Sequence, residues 1–390
     1  MSYLDDILNN TFQQQRNAKI LYKKLLNPNT KGQKCFYPNC SIDAIRSHSI
    51  SRNILEYIST DKHIIFPVCD PCDMGKTYND LLETTTPNIS FEKVGINIAG
   101  VFRGFCSIHD NNLFKSLDDY GIKNDKDIFL QLYRTVMYYF FDMKMVEKSE
   151  LQTYGFENDS NSKFEKGMYL SLEDISIFLL DLIHTIPNAP LDFNENNTYL
   201  IKGHSTIINK DIALLYKKIS NKFNLALENN FILNTGNRVG HCIIIVLPGK
   251  DYSNLVAISL PEIIDKIFTQ KHLGSDIRIL NLIESFLIYN SRFYLNPDVI
   301  KDWNGQKLET VINDYFFFAE RTFLQEYDIS IFDNLRKEFI INESSSVQEH
   351  ELQKIRIVPK RDLFSKRFEN WGIISLKDKY KKIDLSNKYI

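Results

Sequence analysis

Cysteines and histidines crowd the first 110 residues of this 390-residue chain. Cys35-x4-Cys40, Cys69-x2-Cys72 and Cys106-x2-His109 are close pairs, and they include five of the six cysteines. Paired soft donors at such spacings are how a chain assembles a tetrahedral zinc site. His48, in Ala44-Ile45-Arg46-Ser47-His48-Ser49-Ile50, falls between the first pair and the others. A neutral imidazole at that point can take a proton from a water that attacks phosphorus. Asp110 follows His109 directly and offers a carboxylate oxygen of the kind that ligates Mg2+ or Mn2+.

These residues need elements to hold them. In a treble clef, one ligand pair comes from a knuckle between strands and the other from a turn that leads into a helix. Cys35 to Cys40, with Pro38-Asn39 inside, fits the first knuckle. Gly104-Phe105-Cys106-Ser107-Ile108-His109 fits the second, because a helical pattern follows it, with Leu113, Phe114 and Leu117 on one face and Gly121 as a stop. The alternating run Ala44 to Ile50 reads as the strand that presents His48. A competing second knuckle exists at Phe66 to Lys76, in which Cys69 and Cys72 join Cys35 and Cys40, and Asp73 replaces Asp110. Both registrations stay open, and both pairs can hold zinc in separate sites. Either way zinc keeps a segment closed that is too small to bury a core alone.

Together, Cys-x4-Cys, the AIRSHSI strand and GFC-x2-HD-N-N-L-F resemble an HNH-like family of mostly uncharacterised bacterial proteins. The resemblance covers roughly residues 30 to 120, and it extends toward the helix that carries Arg134. It implies a zinc-stabilised, ββα-metal nuclease-like domain of a phage-defence or mobile-element protein, with His48 as general base and Asp110 on the catalytic ion. Two departures stand out. Ser47 occupies the position where such enzymes place a metal-binding Asp or His, and Asn53, Asn79 and Asn97 compete for the central Asn.

The remaining chain sets the frame. The fold class expected is α+β, with a treble-clef ββα-metal domain followed by a larger mixed α/β region. A helix over residues 1–30, the zinc domain over 31–121, a connecting helix over 122–150 and a C-terminal sensor or partner region over 151–390 make up the expected order. Leu4, Ile7, Leu8 and Phe12 have helical spacing up to Leu26, and Asp125 to Lys148 reads as a long helix whose aromatic stripe packs into a core. Ser171-x2-Asp174 opens another helix in the manner of a capping box. Tyr199–Ile207, Phe231–Leu233, Cys242–Leu247 and Leu255–Leu260 read as strands, and Glu262–Gln270 and Arg278–Tyr289 as helices. Cys242, His184, His204, His241, His272 and His350 are isolated and read as structural or surface residues.

A net charge of −2 excludes a globally basic nucleic-acid binder, yet charge is uneven. Between Gln353 and Lys382 ten Lys and Arg face three carboxylates, a local excess of +7. Lys360, Arg361, Lys366 and Arg367 in this segment are the candidate contacts to nucleic-acid phosphates or an acidic partner. The expected partners are DNA and a protein or trigger through the C-terminal region, with no membrane. The N-terminus is acidic and lacks a secretory core, and no run reaches a membrane span, so the expected compartment is the cytoplasm. There, clustered cysteines read as metal ligands and not as disulfides. No phosphate-cradling Gly-rich motif is present. The functional expectation is a metal-dependent endonuclease acting on DNA in phage defence. The alternative is a non-catalytic zinc module that binds nucleic acid or protein.

Overall fold

The computed structural model describes residues 32–69, 89–154, 169–185, 197–236, 238–289, 291–363 and 366–367. The helix expected over Leu4 to Leu26, Cys72 and Asp73 lie outside the described residues, as does the Cys69 side chain. The zinc-ligand region opens with β1 (Ser47–His48), α1 (Arg52–Glu56), β2 (His63–Cys69), β3 (Ile89–Gly95) and β4 (Val101–Phe102). It continues into α2 (Ser107–Tyr120) and α3 (Asp125–Tyr154). Then come β5 (Tyr169–Leu170), α4 (Leu172–Thr185), β6 (Thr198–Ser205), β7 (Lys210–Ile219), β8 (Leu225–Asn234), β9 (Val239–Pro248) and β10 (Ser253–Ser259). The rest is α5 (Pro261–Ile267), α6 (Gln270–Leu273), α7 (Asp276–Ile288), β11 (Arg292–Leu295), α8 (Pro297–Lys301), α9 (Gly305–Phe316), α10 (Asp333–Phe339) and α11 (Ser345–Arg356).

Aliphatic runs explain the centre of the molecule. One nine-stranded sheet has the order β3-β2-β11-β8-β9-β10-β7-β6, with β5 added in parallel on β9. All its other pairings are antiparallel. Every residue of β9 and β10 is buried. Alternate side chains point to opposite faces, so the middle of the sheet is covered on both. That double burial is why Cys242-Ile243-Ile244-Ile245-Val246-Leu247 is continuously apolar and does not alternate. The expected helix start at Ser171 is confirmed in detail: the Asp174 backbone N–H donates to Ser171 Oγ at 3.1 Å, and the Ser171 N–H donates to Asp174 Oδ2 at 2.8 Å. None of the described helices is long and apolar enough to cross a membrane.

The zinc-ligand region is woven into this sheet. β2 pairs with β11 at Ile65 and Leu295, so the hairpin of β2 and β3 forms one end of the large sheet. β1 instead pairs with β4 in a separate two-stranded unit, Ser47 opposite Phe102 and His48 opposite Val101. The strand expected over Ala44 to Ile50 is regular only at these two residues. One apolar core runs without a break from Cys35, Phe105 and Cys106 through Phe129 and Tyr133 of α3 to Ile244 and Val256. Phe129 and Tyr133 are fully buried, as their place in an aromatic core stripe requires.

Candidate metal centre

Two knuckles bring four donors together. The first is built by the loop Cys35 to Cys40, in which the Cys35 N–H donates to Ile42 O at 2.9 Å and the Cys40 N–H to Tyr37 O at 3.1 Å. Asn39 takes φ of +60°, a conformation that Asn tolerates better than most side chains. The second knuckle turns at Gly104, and Cys106 is the N-cap of α2, so His109 sits in the first helical turn. The two knuckles are stitched by Phe36 N–H to Gly104 O at 2.8 Å and Ile45 N–H to Phe105 O at 2.7 Å.

As a result Cys35, Cys40, Cys106 and His109 place their ligand atoms within 4.8 Å of one another. Cys35 Sγ lies 3.4 Å from His109 Nδ1, Cys106 Sγ 3.3 Å from the same nitrogen, and Cys40 Sγ 3.9 Å from Cys106 Sγ. A tetrahedral zinc ion, with bonds of about 2.3 Å to sulfur and 2.0–2.1 Å to nitrogen, separates its donors by roughly 3.5–3.8 Å. The donor set and spacing therefore fit structural Zn2+, with all four positions supplied by protein. Burial pushes the Cys35 thiol up to about 11. Burial also works against the Cys106 thiolate, but the His109 N–H and the neighbouring thiols bring it below its ordinary value. Three thiolates in one buried pocket need a divalent cation to neutralise them, which is the chemistry zinc supplies. Among the described residues, Cys106 and His109 meet Cys35 and Cys40; the Cys69 backbone closes β2 opposite Ile89, and Cys72 lies outside the described residues.

An outer layer orients the histidine. The Tyr37 ring stacks on His109 at 4.0 Å between centroids, and its hydroxyl lies 3.1 Å from His184 Nε2 on α4. Such supports hold a ligand ring in its binding orientation. From the sequence, His184 reads as an isolated structural or surface residue. It lies 147 positions from Tyr37, and no sequence spacing signals that contact.

His48 sits at the end of β1, where β4 and then α2 follow in space. Its Nε2 is 3.3 Å from Ile96 O, so an Nε2–H donating there leaves Nδ1 with the lone pair. Burial lowers the His48 pKa, and the Arg134 charge lowers it further, against the Ile96 carbonyl and the carboxylates of Asp118 and Asp110. The imidazole is therefore neutral at neutral pH.

Asp110 lies beside a buried cation, while its Oδ1 has no hydrogen-bond partner among the described residues. Arg134 of α3, 2% exposed, forks onto Asp118 with Nη1 at 2.6 Å and Nη2 at 2.9 Å, and its Nη2 is 3.6 Å from Asp110 Oδ1. Its guanidinium also lies 4.2 Å above the Phe114 ring. A fixed cation thus stands beside the carboxylate expected to hold a catalytic ion. Ser47 is buried, and its hydroxyl has no hydrogen-bond partner among the described residues. Next to Asp110 a cleft of about 410 Å³ carries Asp118 and Asp119 but only one cation, Lys115. Asn53, one candidate for the central Asn, donates to the Asp118 carbonyl instead.

The four candidate phosphate contacts divide into two kinds. Lys360 and Lys366 are exposed. Arg361 pairs with Asp314 and Asp328, and Arg367, which is buried, pairs with Asp314 and Glu320. Sequence reasoning missed these carboxylates and the pairing of Arg134 with Asp118, because the partners lie far apart in sequence or on different elements. No family model matches the chain, no curated protein is detectably similar to it, and no solved structure matches it.

Proposed function

We propose that this chain is a non-catalytic, zinc-stabilised module that binds nucleic acid. The observation that carries this reading is Arg134: its buried guanidinium takes the place beside Asp110 and Asp118 where an exchangeable metal ion would have to enter. A divalent ion there would meet a fixed positive charge, and Ser47 offers it a neutral hydroxyl in place of a carboxylate or imidazole. The order of strand, strand and helix around the zinc cluster supports a treble clef of the HNH-like type, now used as a scaffold. Arg46 supports a polyanion as partner. It is exposed, it has no ion pair among the described residues, and it lies one step beyond the Ser47–Phe102 pair, toward Arg103. The large sheet region then serves as the platform for a protein partner or trigger. Cysteines arranged as metal ligands support a cytoplasmic setting.

A second reading, the Mg2+- or Mn2+-dependent endonuclease of phage defence, is favoured by one observation: a neutral His48 shares its surroundings with Asp110. The two readings part in a single assay. The zinc-loaded protein is incubated with labelled duplex and single-stranded DNA in Mg2+ or Mn2+, with binding and cleavage both followed. The binding module retains DNA without cutting it, and His48→Ala leaves retention unchanged. Cleavage that His48→Ala abolishes, with zinc content intact, overturns the non-catalytic reading and installs the nuclease.

A further inference from the structure

We infer that Arg361 is a guarded phosphate contact, held by Asp328 in the free protein and handed to a nucleic-acid phosphate on binding. The inference rests on the nucleic-acid reading above and adds the site and its control. Arg361 lies on the irregular segment after α11. Its inner edge is committed: Nε lies 3.1 Å and Nη2 2.8 Å from Asp314 Oδ2, a carboxylate only 2% exposed. Arg367 Nη1, at 3.0 Å, and the Tyr327 hydroxyl, at 3.1 Å, also satisfy Asp314, so this anchor is complete. The outer edge differs. Nη1 is 2.9 Å and Nη2 2.7 Å from Asp328, which is 46% exposed.

A guanidinium fork suits a phosphate as well as a carboxylate. Replacing Asp328 on the outer edge leaves the inner anchor untouched, and Asp328 keeps a second cation, Arg321, at 4.0 Å. Burial works against the Asp328 carboxylate, but the Arg361 fork holds it below the usual carboxylate range, so the guard is ionised at neutral pH. The surroundings favour an incoming anion. A cleft of about 550 Å³ brings Arg321, Gln325 and Lys360 beside Arg361. Its carboxylates Asp314 and Glu320 are already neutralised by Arg361 and Arg367, which leaves the exposed Asp362 as the opposing charge. Lys360 and Lys366 have no ion pair among the described residues and are available for first contact. The segment carries exposed apolar side chains at Ile357, 55% exposed, and Leu363, 77% exposed, and it is tied down by the Arg361 and Arg367 ion pairs and by Val358 against the core.

The test uses the full-length, zinc-loaded protein and a short fluorescent DNA duplex, titrated at several salt concentrations. Asp328→Asn, a change at a half-exposed site, frees the outer edge. It is expected to tighten binding by about threefold to tenfold at low salt and to steepen the salt dependence by about 0.9 slope units, one phosphate contact. Asp251→Asn removes an equal charge at another exposed position and is expected to change binding much less. Adding Arg361→Lys to Asp328→Asn keeps the charge, loses the fork, and is expected to erase most of the gain. If Asp328→Asn binds no tighter than Asp251→Asn while the wild type binds DNA, the guard is refuted and the nucleic-acid reading stands. If no form binds DNA, that reading falls and the guard falls with it.

Discussion

The donors around Cys35 and Cys106 sit in a loop, beside strands of two residues and in the first turn of the 14-residue α2, whereas β7 to β10 run for seven to ten residues each. The first region encloses its Cys and His donors in backbone stitches and a few aromatic rings. The second buries continuous aliphatic strands on both faces. A metal ion substitutes for apolar area where the segment is short, and long strands need no such help. The two regions nevertheless share one core, because β2 and β3 carry the zinc-ligand region into the sheet. The contrast is thus in what holds each part, and perturbations that separate metal from core can break or sharpen it.

The largest expected effect is that of Cys35→Ser. It removes one of three thiolates, and zinc should be lost along with a binding free energy of about 10–16 kcal/mol by comparison with isolated zinc-finger peptides. Hydrogen exchange is the measurement. Protection should vanish over residues 35–49 and 100–120 and persist in β8, β9 and β10. Equal loss in both regions would show that the sheet also depends on the metal.

A smaller, opposite effect is expected from acid. His241 on β9 is 1% exposed, with its Nε2 2.8 Å from the Tyr169 hydroxyl and its Nδ1 2.7 Å from Asn230 Oδ1. Burial lowers its pKa from 6.5 to about 4. The unfolded chain therefore accepts a proton that the folded sheet refuses. Stability from this group is complete above about pH 6.5, falls as pH drops through the window, and is reduced by at most about 3 kcal/mol near pH 4. Urea unfolding of wild type and His241→Gln from pH 7.5 to 4.5, with zinc in excess, reads this out. The variant should lose the slope in that window, and an unchanged slope assigns the acid sensitivity elsewhere.

How much of this was legible in the sequence follows from the range of each interaction. Cys35-x4-Cys40 and Cys106-x2-His109 are local, so their roles could be read from spacing. The same holds for the capping box at Ser171 and Asp174 and for the helix after Cys106. β7 escaped notice because Lys210, Lys217 and Lys218 frame its apolar run and mask the strand pattern. The pairing of β1 with β4 spans more than 50 residues and encloses a hairpin that belongs to another sheet, which no short-range pattern encodes. Arg134 meets Asp118 from the next helix, and Arg361 meets Asp314 across 47 residues. Such charged residues look equally available in a sequence, and only the fold shows which ones are already engaged. That difference separates a binding module from a nuclease.

The claim on which the account depends is that Cys35, Cys40, Cys106 and His109 hold one structural zinc ion. X-ray absorption at the zinc edge of the isolated protein, joined to metal quantitation, tests it most directly. The expected result for this site is a shell of three sulfurs at about 2.3 Å and one nitrogen at about 2.0–2.1 Å, with one equivalent of zinc. A four-sulfur shell, as the Cys69 and Cys72 registration would produce, or folded protein without zinc, would contradict it.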